Sequence, residues 1–286
     1  MNIVRTRAEL REAIARARRG SGEAPPRRIA LVPTMGALHE GHLSLVDRAR
    51  ERADFVVLSI YVNPLQFGPT EDFAQYPRDL ERDVALARSR GVDLVFAPTD
   101  DEMYPAGEPA VRVVPRRLAD RLCGAFRPGH FEGVLTVVAK LFNLVQPDVA
   151  VFGQKDYQQA LLIRRMVADL DLPIEIDVAP IVREPDGLAL SSRNSYLSPA
   201  ERKQATSLFR GLARAEAAFR AGERRASRLC MLVEETLTAE PDVQAQYIEL
   251  VHPETLEPVE EATPGCVLAV AAFVGRTRLI DNTILS

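Results

Sequence analysis

The 286-residue chain has only three cysteines, Cys123, Cys230 and Cys266, and no two of them form a CxxC pair. That usage suggests neither a zinc cluster nor a disulfide framework. No apolar run approaches the roughly 18 residues needed to cross a bilayer, and no apolar segment of the secretory type stands near the first residues. An excess of positive charge is missing too. The 36 Lys and Arg against 40 Asp and Glu leave a formal net charge of -4, with a pI near 5.7. A protein that wraps nucleic acid by bulk electrostatics would be basic, so the expected partner is a small molecule. Internal repeats and low-complexity segments are also lacking. These absences predict a cytoplasmic protein with no membrane span and no nucleic-acid partner, long enough for one large or two modest domains.

What is present is organised around residues 27–53, RRIALVPTMGALHEGHLSLVDRARERA. Residues 29–32 form an apolar run, residues 33–36 break it, and Leu43, Val46 and Ala49 then return at helical spacing. This reads as strand, tight turn and helix, with His39 and His42 where the helix begins. A helix start offers unpaired N–H groups and partial positive charge, which suits phosphate, and imidazoles three residues apart can face one bound group. Gly36 and Gly41 allow close backbone approach. Neither the GxGxxG of dinucleotide sites nor the GxxxxGK of P-loops is present.

Taken in order, residues 5–19 read as a surface helix and residues 20–26 as a loop. Residues 54–62 are an apolar run without alternation, as in a parallel strand covered on both faces. The run ends at Asn63 and Gln66, in the zone beyond strand ends where ligands of open α/β sheets collect. A helix over residues 70–90, interrupted or entered near Pro77, a strand over 92–96 and a short strand over 111–114 are expected next. Residues 122–133, LCGAFRPGHFEG, read as a loop carrying Arg127 and His130 ahead of a helix over 134–145. A strand over 148–152 runs into GQKDYQQ, where Lys155 supplies mobile positive charge. Asp156 there is either a hard oxygen donor for magnesium or a helix cap. Gln158 and Gln159 are adjacent on a helix and cannot both face one pocket. A strand over 174–178 follows, then a Ser191-Ser192-Arg193-Asn194 loop. Beyond it lie two helices within 199–237 and strands over 245–251, 266–274 and 277–280. The fold class is therefore α/β, a Rossmann-like parallel sheet domain over residues 1–186 with a smaller α+β lid domain over residues 187–286. His39, His42, Asn63, Gln66 and Lys155 are expected at the carboxyl edge of one parallel sheet.

The motif PTMGALHEGHLSL resembles the adenylate-forming signature of the pantoate–beta-alanine ligase family. Its HxGH element is similar to that of the broader nucleotidyltransferase superfamily, which includes class I aminoacyl-tRNA synthetases. YVNPLQF, YPRDLERD, FRPGHFEGV, VFGQKDYQQ and GLALSSRN follow in the family's order. The resemblance implies AMP-forming ligation of (R)-pantoate to beta-alanine through a pantoyl adenylate, with ATP as substrate, magnesium as cofactor and a homodimer as the assembly. It implies an ATP-binding loop at Met35, Gly36, Ala37, Leu38, His39, Glu40, Gly41 and His42, with His42 in the catalytic position and His39 a companion phosphate contact. Further ATP contacts are implied at Gly153, Gln154, Lys155 and Asp156, at Leu190, Ser191, Ser192 and Arg193, and at the backbone of Val182. Lys155 and Arg193 would neutralise phosphate. Gln66 and Gln159 match the pantoate-holding glutamines, Gln66 also lying near beta-alanine, and Asp83 is taken as a magnesium-side carboxylate. A nucleotidyltransferase acting on a phosphate-bearing acceptor would use the HxGH and Ser-Ser-Arg segments similarly, but leaves the glutamines without a carboxylic-acid substrate. A nucleotide sensor would need the pocket and no turnover.

Overall fold

Short apolar runs become the strands of one parallel sheet because helices cover both faces. In a computed structural model that describes residues 1–19, 26–69 and 71–286, the chain opens with β1 (Asn2–Val4), α1 (Arg7–Arg19), β2 (Ile29–Thr34), α2 (Glu40–Arg52) and β3 (Phe55–Ile60). It continues through α3 (Leu80–Ser89), β4 (Leu94–Phe96), the short α4 (Asp100–Met103) and α5 (Leu122–Phe126), then α6 (His130–Val145), β5 (Val149–Gly153), α7 (Tyr157–Asp169) and β6 (Glu175–Ala179). The sheet order is β1-β4-β3-β2-β5-β6, and all pairings are parallel. Four consecutive β2 residues, Ile29, Ala30, Leu31 and Val32, are fully buried, the pattern of a strand packed on both faces. Val46 of α2 packs with Val32, Val56, Leu58 and Val151 in one cluster. From β2 the chain proceeds to β3 and β4 on one side, whereas β5 leads to β6 on the other. The adjacent β2 and β5 therefore flank the topological switch point, where the loops at their carboxyl ends diverge and leave a crevice.

By contacts the chain divides into two units. The first is Met1–Arg117, Arg127–Gln154 and Gln159–Pro180; the second is Leu118–Phe126, Lys155–Gln158 and Ile181–Ser286. The second unit holds α8 (Pro199–Gln204), α9 (Ser207–Arg220), α10 (Ala226–Thr238) and an antiparallel sheet of β7 (Val243–Val251), β8 (Val267–Val274) and β9 (Thr277–Ile284), in that order. Its core joins Leu212, Leu229, Val233, Leu268 and Val270. Gly211 lets α9 approach α10, since a Cβ there would lie 3.0 Å from Val233 Cγ1. The architecture is α/β with a smaller α+β part.

Several local expectations need correction. Within 70–90 the helix is entered just past Pro77, as α3 begins after Asp79, whose carboxylate accepts the Arg82 N–H at 3.0 Å as an N-cap, and the described residues before it are not α-helical. Residues 111–114 form no strand, and Val111 and Val114 are 85% and 61% exposed. The expected loop over 122–133 contains α5 and the first turn of α6. Three helices, α8, α9 and α10, replace the two expected over 199–237. The loop predicted at 20–26 lies, apart from Pro26, outside the described residues. No helix among the described residues is long and apolar enough to cross a membrane.

Candidate active site

In the first unit the turn after β2 is built to expose a helix start. Thr34 Oγ1 donates to the Ser59 carbonyl at 2.7 Å and accepts the Gly36 N–H at 3.1 Å, tying the end of β2 to β3. Gly36 and Ala37 both adopt positive φ, +81° and +50°. A Cβ on Gly36 would sit 2.8 Å from Asp83 Oδ2 and 3.0 Å from Ile60 Cγ2, so both conformation and space require glycine. Asp83, only 1% exposed, accepts the N–H groups of Ala37 and Leu38 at 2.8 and 2.7 Å. Burial pushes its carboxyl above the ordinary value despite those donors. The sequence reading takes Asp83 as a magnesium-side carboxylate, and here each of its oxygens accepts one backbone N–H of the turn. In this position it braces the HxGH loop from beneath.

The two histidines cap α2. His39 is the N-cap, its Nδ1 accepting the Gly41 N–H at 3.1 Å, while His42 Nδ1 accepts the His39 N–H at 3.4 Å, giving a capping box made of imidazoles. Their ring centroids are 4.1 Å apart. Because each Nδ1 accepts a backbone N–H, the ring proton of each neutral imidazole belongs on Nε2, which makes Nε2 the donor. Leu38 is buried, and the Glu40 side chain turns to an ion pair with Arg90 at 2.6 Å. Any nucleotide contact by these two residues is thus a matter of backbone.

After β3, Asn63 caps a single 3-10 turn with Pro64 at its first position and Gln66 at its end. Gln66 Nε2 points at Met35 Sδ, 2.9 Å away, linking this turn to the first residue of the HxGH loop. The turn is held from below by Arg127, which forms two 2.7 Å bonds to Glu71 and a 2.9 Å contact to His130 Nε2. A guanidinium only donates, so His130 accepts at Nε2 and donates from Nδ1 to the Gln66 carbonyl at 2.8 Å. Burial pushes the Glu71 carboxyl up, but hydrogen bonds and charge from Arg127 outweigh it and hold the group below its ordinary value. A loop arginine gave no sign of this. Its partner lies 56 residues away.

β5 ends at Gly153, with Gln154 following in the same unit and Gln159 half-buried on α7. Of the adjacent glutamines, Gln158 belongs to the second unit and donates to the Leu118 and Arg121 carbonyls at 2.6 and 2.7 Å. Its amide nitrogen is thus held by the backbone, whereas Gln159 lies in the first unit.

In the second unit, Lys155 lines a cavity of about 10 Å³, the size of one water, together with Ser191, Asn194 and Asp281. The Lys155 carbonyl accepts from Asn282 Nδ2 at 3.0 Å. Asp281 is buried and receives both Arg183 nitrogens at 2.6 and 3.0 Å; burial nonetheless raises its carboxyl. Asp156 is exposed, with an oxygen 4.0 Å from Lys155 Nζ. Val182 accepts the Leu190 N–H at 3.0 Å, closing the loop that leads to Ser191. Ser191 Oγ in turn accepts the Arg193 N–H at 3.3 Å and starts a 3-10 helix, Ser192–Tyr196. The first unit therefore gathers Met35, His39, His42 and Gln66 at the ends of β2 and β3, while Lys155 and Ser191 share the second-unit cavity. Among the described residues no group of three or more His, Cys, Asp or Glu side chains could hold a metal ion.

The pantoate-beta-alanine ligase family profile matches residues 2–284. The pantothenate synthetase of Moorella thermoacetica is 55% identical over 286 residues, covering 100% of this chain and 99% of that protein. A crystal structure of pantothenate synthetase from Thermus thermophilus superposes with a TM-score of 0.92 at 51% identity, covering 100% of this chain and 99% of the other. The pantoate-beta-alanine ligase of Francisella tularensis, solved with beta-gamma ATP and beta-alanine, gives 0.81 at 33% identity, covering 99% and 97%.

Proposed function

The chain belongs to the pantoate–beta-alanine ligase family, and from that premise we propose how its residues divide the reaction. The enzyme condenses (R)-pantoate with beta-alanine at the expense of ATP. The pantoate carboxylate attacks the α-phosphorus and pyrophosphate leaves; the beta-alanine amine then attacks the carbonyl of pantoyl adenylate and AMP leaves. No enzyme nucleophile is needed. The protein must stabilise charge on phosphoryl oxygens in the first step and hold an amine beside an activated carbonyl in the second.

The observation that carries this reading is the imidazole-capped start of α2 directly after β2. In it, His39 and His42 carry their hydrogens on Nε2 at a helix N-terminus, a combination suited to the oxygens of a triphosphate. His42 contacts the reacting phosphoryl group, His39 is its companion, and the backbone from Met35 through Gly41 follows the nucleotide. Lys155 and Arg193 neutralise phosphate charge, Ser191 and Ser192 donate hydrogen bonds, and Gly153, Gln154, Asp156, Val182 and Leu190 complete the ATP contacts. Gln66 and Gln159 hold pantoate, Gln66 also approaching beta-alanine. Magnesium, bound together with ATP, would supply further neutralisation of phosphate charge beside Lys155 and Arg193. The assembly proposed is a homodimer, checked by mass in solution across working concentrations.

The decisive test is purified protein with ATP, magnesium, pantoate and beta-alanine. AMP with pantothenate in equal amounts is expected. Pantoate-independent nucleotide transfer, or nucleotide binding without turnover, would overturn the ligase reading.

A further inference from the structure

Gln66 lies at the end of a buried chain of hydrogen bonds whose polarity is set by the backbone. The Gly133 carbonyl can only accept, and it lies 3.1 Å from one side-chain atom of Asn63, which must therefore be the amide nitrogen Nδ2. The other atom, Oδ1, receives the Tyr104 hydroxyl at 2.8 Å and the Leu65 N–H at 3.4 Å. Asn63 Nδ2 has a second hydrogen, directed at Gln66 3.2 Å away, so the Gln66 atom it meets is the carbonyl Oε1. The NH2 end of Gln66 is then the end turned outward, where it meets Met35 Sδ. Tyr104, Asn63 and Gln66 are 7%, 1% and 8% exposed. With so little water within reach, flipping either amide would oppose like poles with nothing to compensate.

We propose that Tyr104 and Gly133 are positioning residues that hold Gln66 as a hydrogen-bond donor, so that the group it recognises is an acceptor oxygen of the hydroxy acid, from its carboxylate or a hydroxyl. This rests on the reading of Gln66 as a pantoate contact and adds its polarity. Gly133 contributes by having no side chain: a Cβ there would stand 2.2 Å from the Leu65 carbonyl oxygen and 2.7 Å from the Gln66 nitrogen, so only glycine lets α6 bring its carbonyl up to Asn63. Tyr104 contributes a proton. Its hydroxyl is buried, and that burial pushes its ionisation up, keeping it a donor to Asn63 Oδ1.

Steady-state kinetics with pantoate and ATP varied separately test the proposal. Tyr104→Phe keeps the ring and removes the donor. Its KM for pantoate should rise roughly fivefold, the effect of one net hydrogen bond, while its KM for ATP stays unchanged. Gln66→Glu and Gln66→Met, compared with each other, report the polarity itself. The glutamate still accepts from Asn63 but turns an acceptor outward, so it should handle pantoate worse than the apolar methionine; calorimetry with pantoate replaces kinetics where turnover is too slow. Gln66→Glu equalling or exceeding Gln66→Met would overturn the proposal, as would a folded Tyr104→Phe enzyme with unchanged pantoate KM. If Tyr104→Phe fails to fold, the Gln66 pair decides alone, because both variants leave Tyr104 in place. A wild-type protein that does not consume pantoate would instead sink the functional reading beneath the proposal.

Discussion

The side-chain amide of Asn282 on β9 donates to the backbone carbonyl of Lys155 at 3.0 Å. The neighbouring Asp281, clamped by Arg183, lines the same small cavity as the lysine. Asn282 thus fixes the backbone that carries the Lys155 side chain, for which phosphate neutralisation is proposed. Asn282→Ala removes this support without removing charge. One net hydrogen bond corresponds to about 1 kcal/mol, so the KM for ATP should rise about fivefold with little change in the KM for pantoate. Separate ATP and pantoate titrations of a variant with an unshifted melting curve check this, and a uniform loss of activity at unchanged KM values would count against it.

The elements most legible in the sequence are those whose signal is local. The apolar runs of β2, β3 and β5 are buried on both faces and read as strands without knowledge of their neighbours. The HxGH turn is equally plain, since its glycine and histidines act within a few residues. β1 escapes a sequence reading because it spans three residues, two of them exposed, and is a strand only through pairing with β4. Residues 111–114 carry the opposite lesson: their apolar character suits a strand, but among the described residues no partner strand accompanies them. Gly129 and Gly133 make the start of α6 look like a loop, although Gly133 is there for close packing against Leu65. The roles of Asp83 and Arg127 depend on partners 46 and 56 residues distant, which no local pattern encodes.

The Glu71–Arg127 pair makes a pH-dependent contribution to stability. Because Glu71 titrates below its ordinary value in the folded protein, the pair stabilises fully above the unfolded carboxyl's pKa, and that contribution is lost as pH falls through the lower folded value. The side chains are 24% and 13% exposed, so the loss in Glu71→Gln should be modest, about 1–2 kcal/mol. Denaturant melts should show the variant less stable at pH 7, with the gap closing as pH falls below the ordinary glutamate range and through the lowered folded value. A gap that persists unchanged in acid would mean that the effect is steric.

Gly36→Ala should damage the HxGH turn through two separate costs. The backbone is held at φ +81°, unfavourable for alanine by about 1 kcal/mol, and the new methyl would lie 2.8 Å from Asp83 Oδ2. Displacing Asp83 would release the Ala37 and Leu38 N–H groups it now satisfies. The expected outcome is a total loss of roughly 2–3 kcal/mol in denaturant unfolding, accompanied by weaker ATP binding in calorimetry. Asp83→Asn should share the binding defect, since its amide end cannot accept. Full ATP affinity in both variants would show that the brace does not shape the nucleotide site.

His42 should act in adenylate formation as a neutral hydrogen-bond donor. Its Nδ1 receives the His39 N–H, and protonating that nitrogen would break the capping box that starts α2; the remaining nitrogen, Nε2, carries a hydrogen to offer to a phosphoryl oxygen. Loss of one such preorganised donor in His42→Ala should slow pantoyl-adenylate formation by roughly 10²–10³-fold, read by rapid quench with ATP and pantoate. Preformed pantoyl adenylate and beta-alanine should still combine at a near-normal rate. His42→Gln separates donation from acid catalysis, because the glutamine amide can place an N–H near the Nε2 position but cannot deliver a proton. Recovery of a substantial part of the first step in His42→Gln, absent in His42→Asn, is the outcome a donor predicts. If His42→Gln is as slow as His42→Ala while its ATP affinity is intact, the imidazole transfers a proton. If His42→Ala forms the adenylate normally but consumes it slowly, the residue serves amide formation.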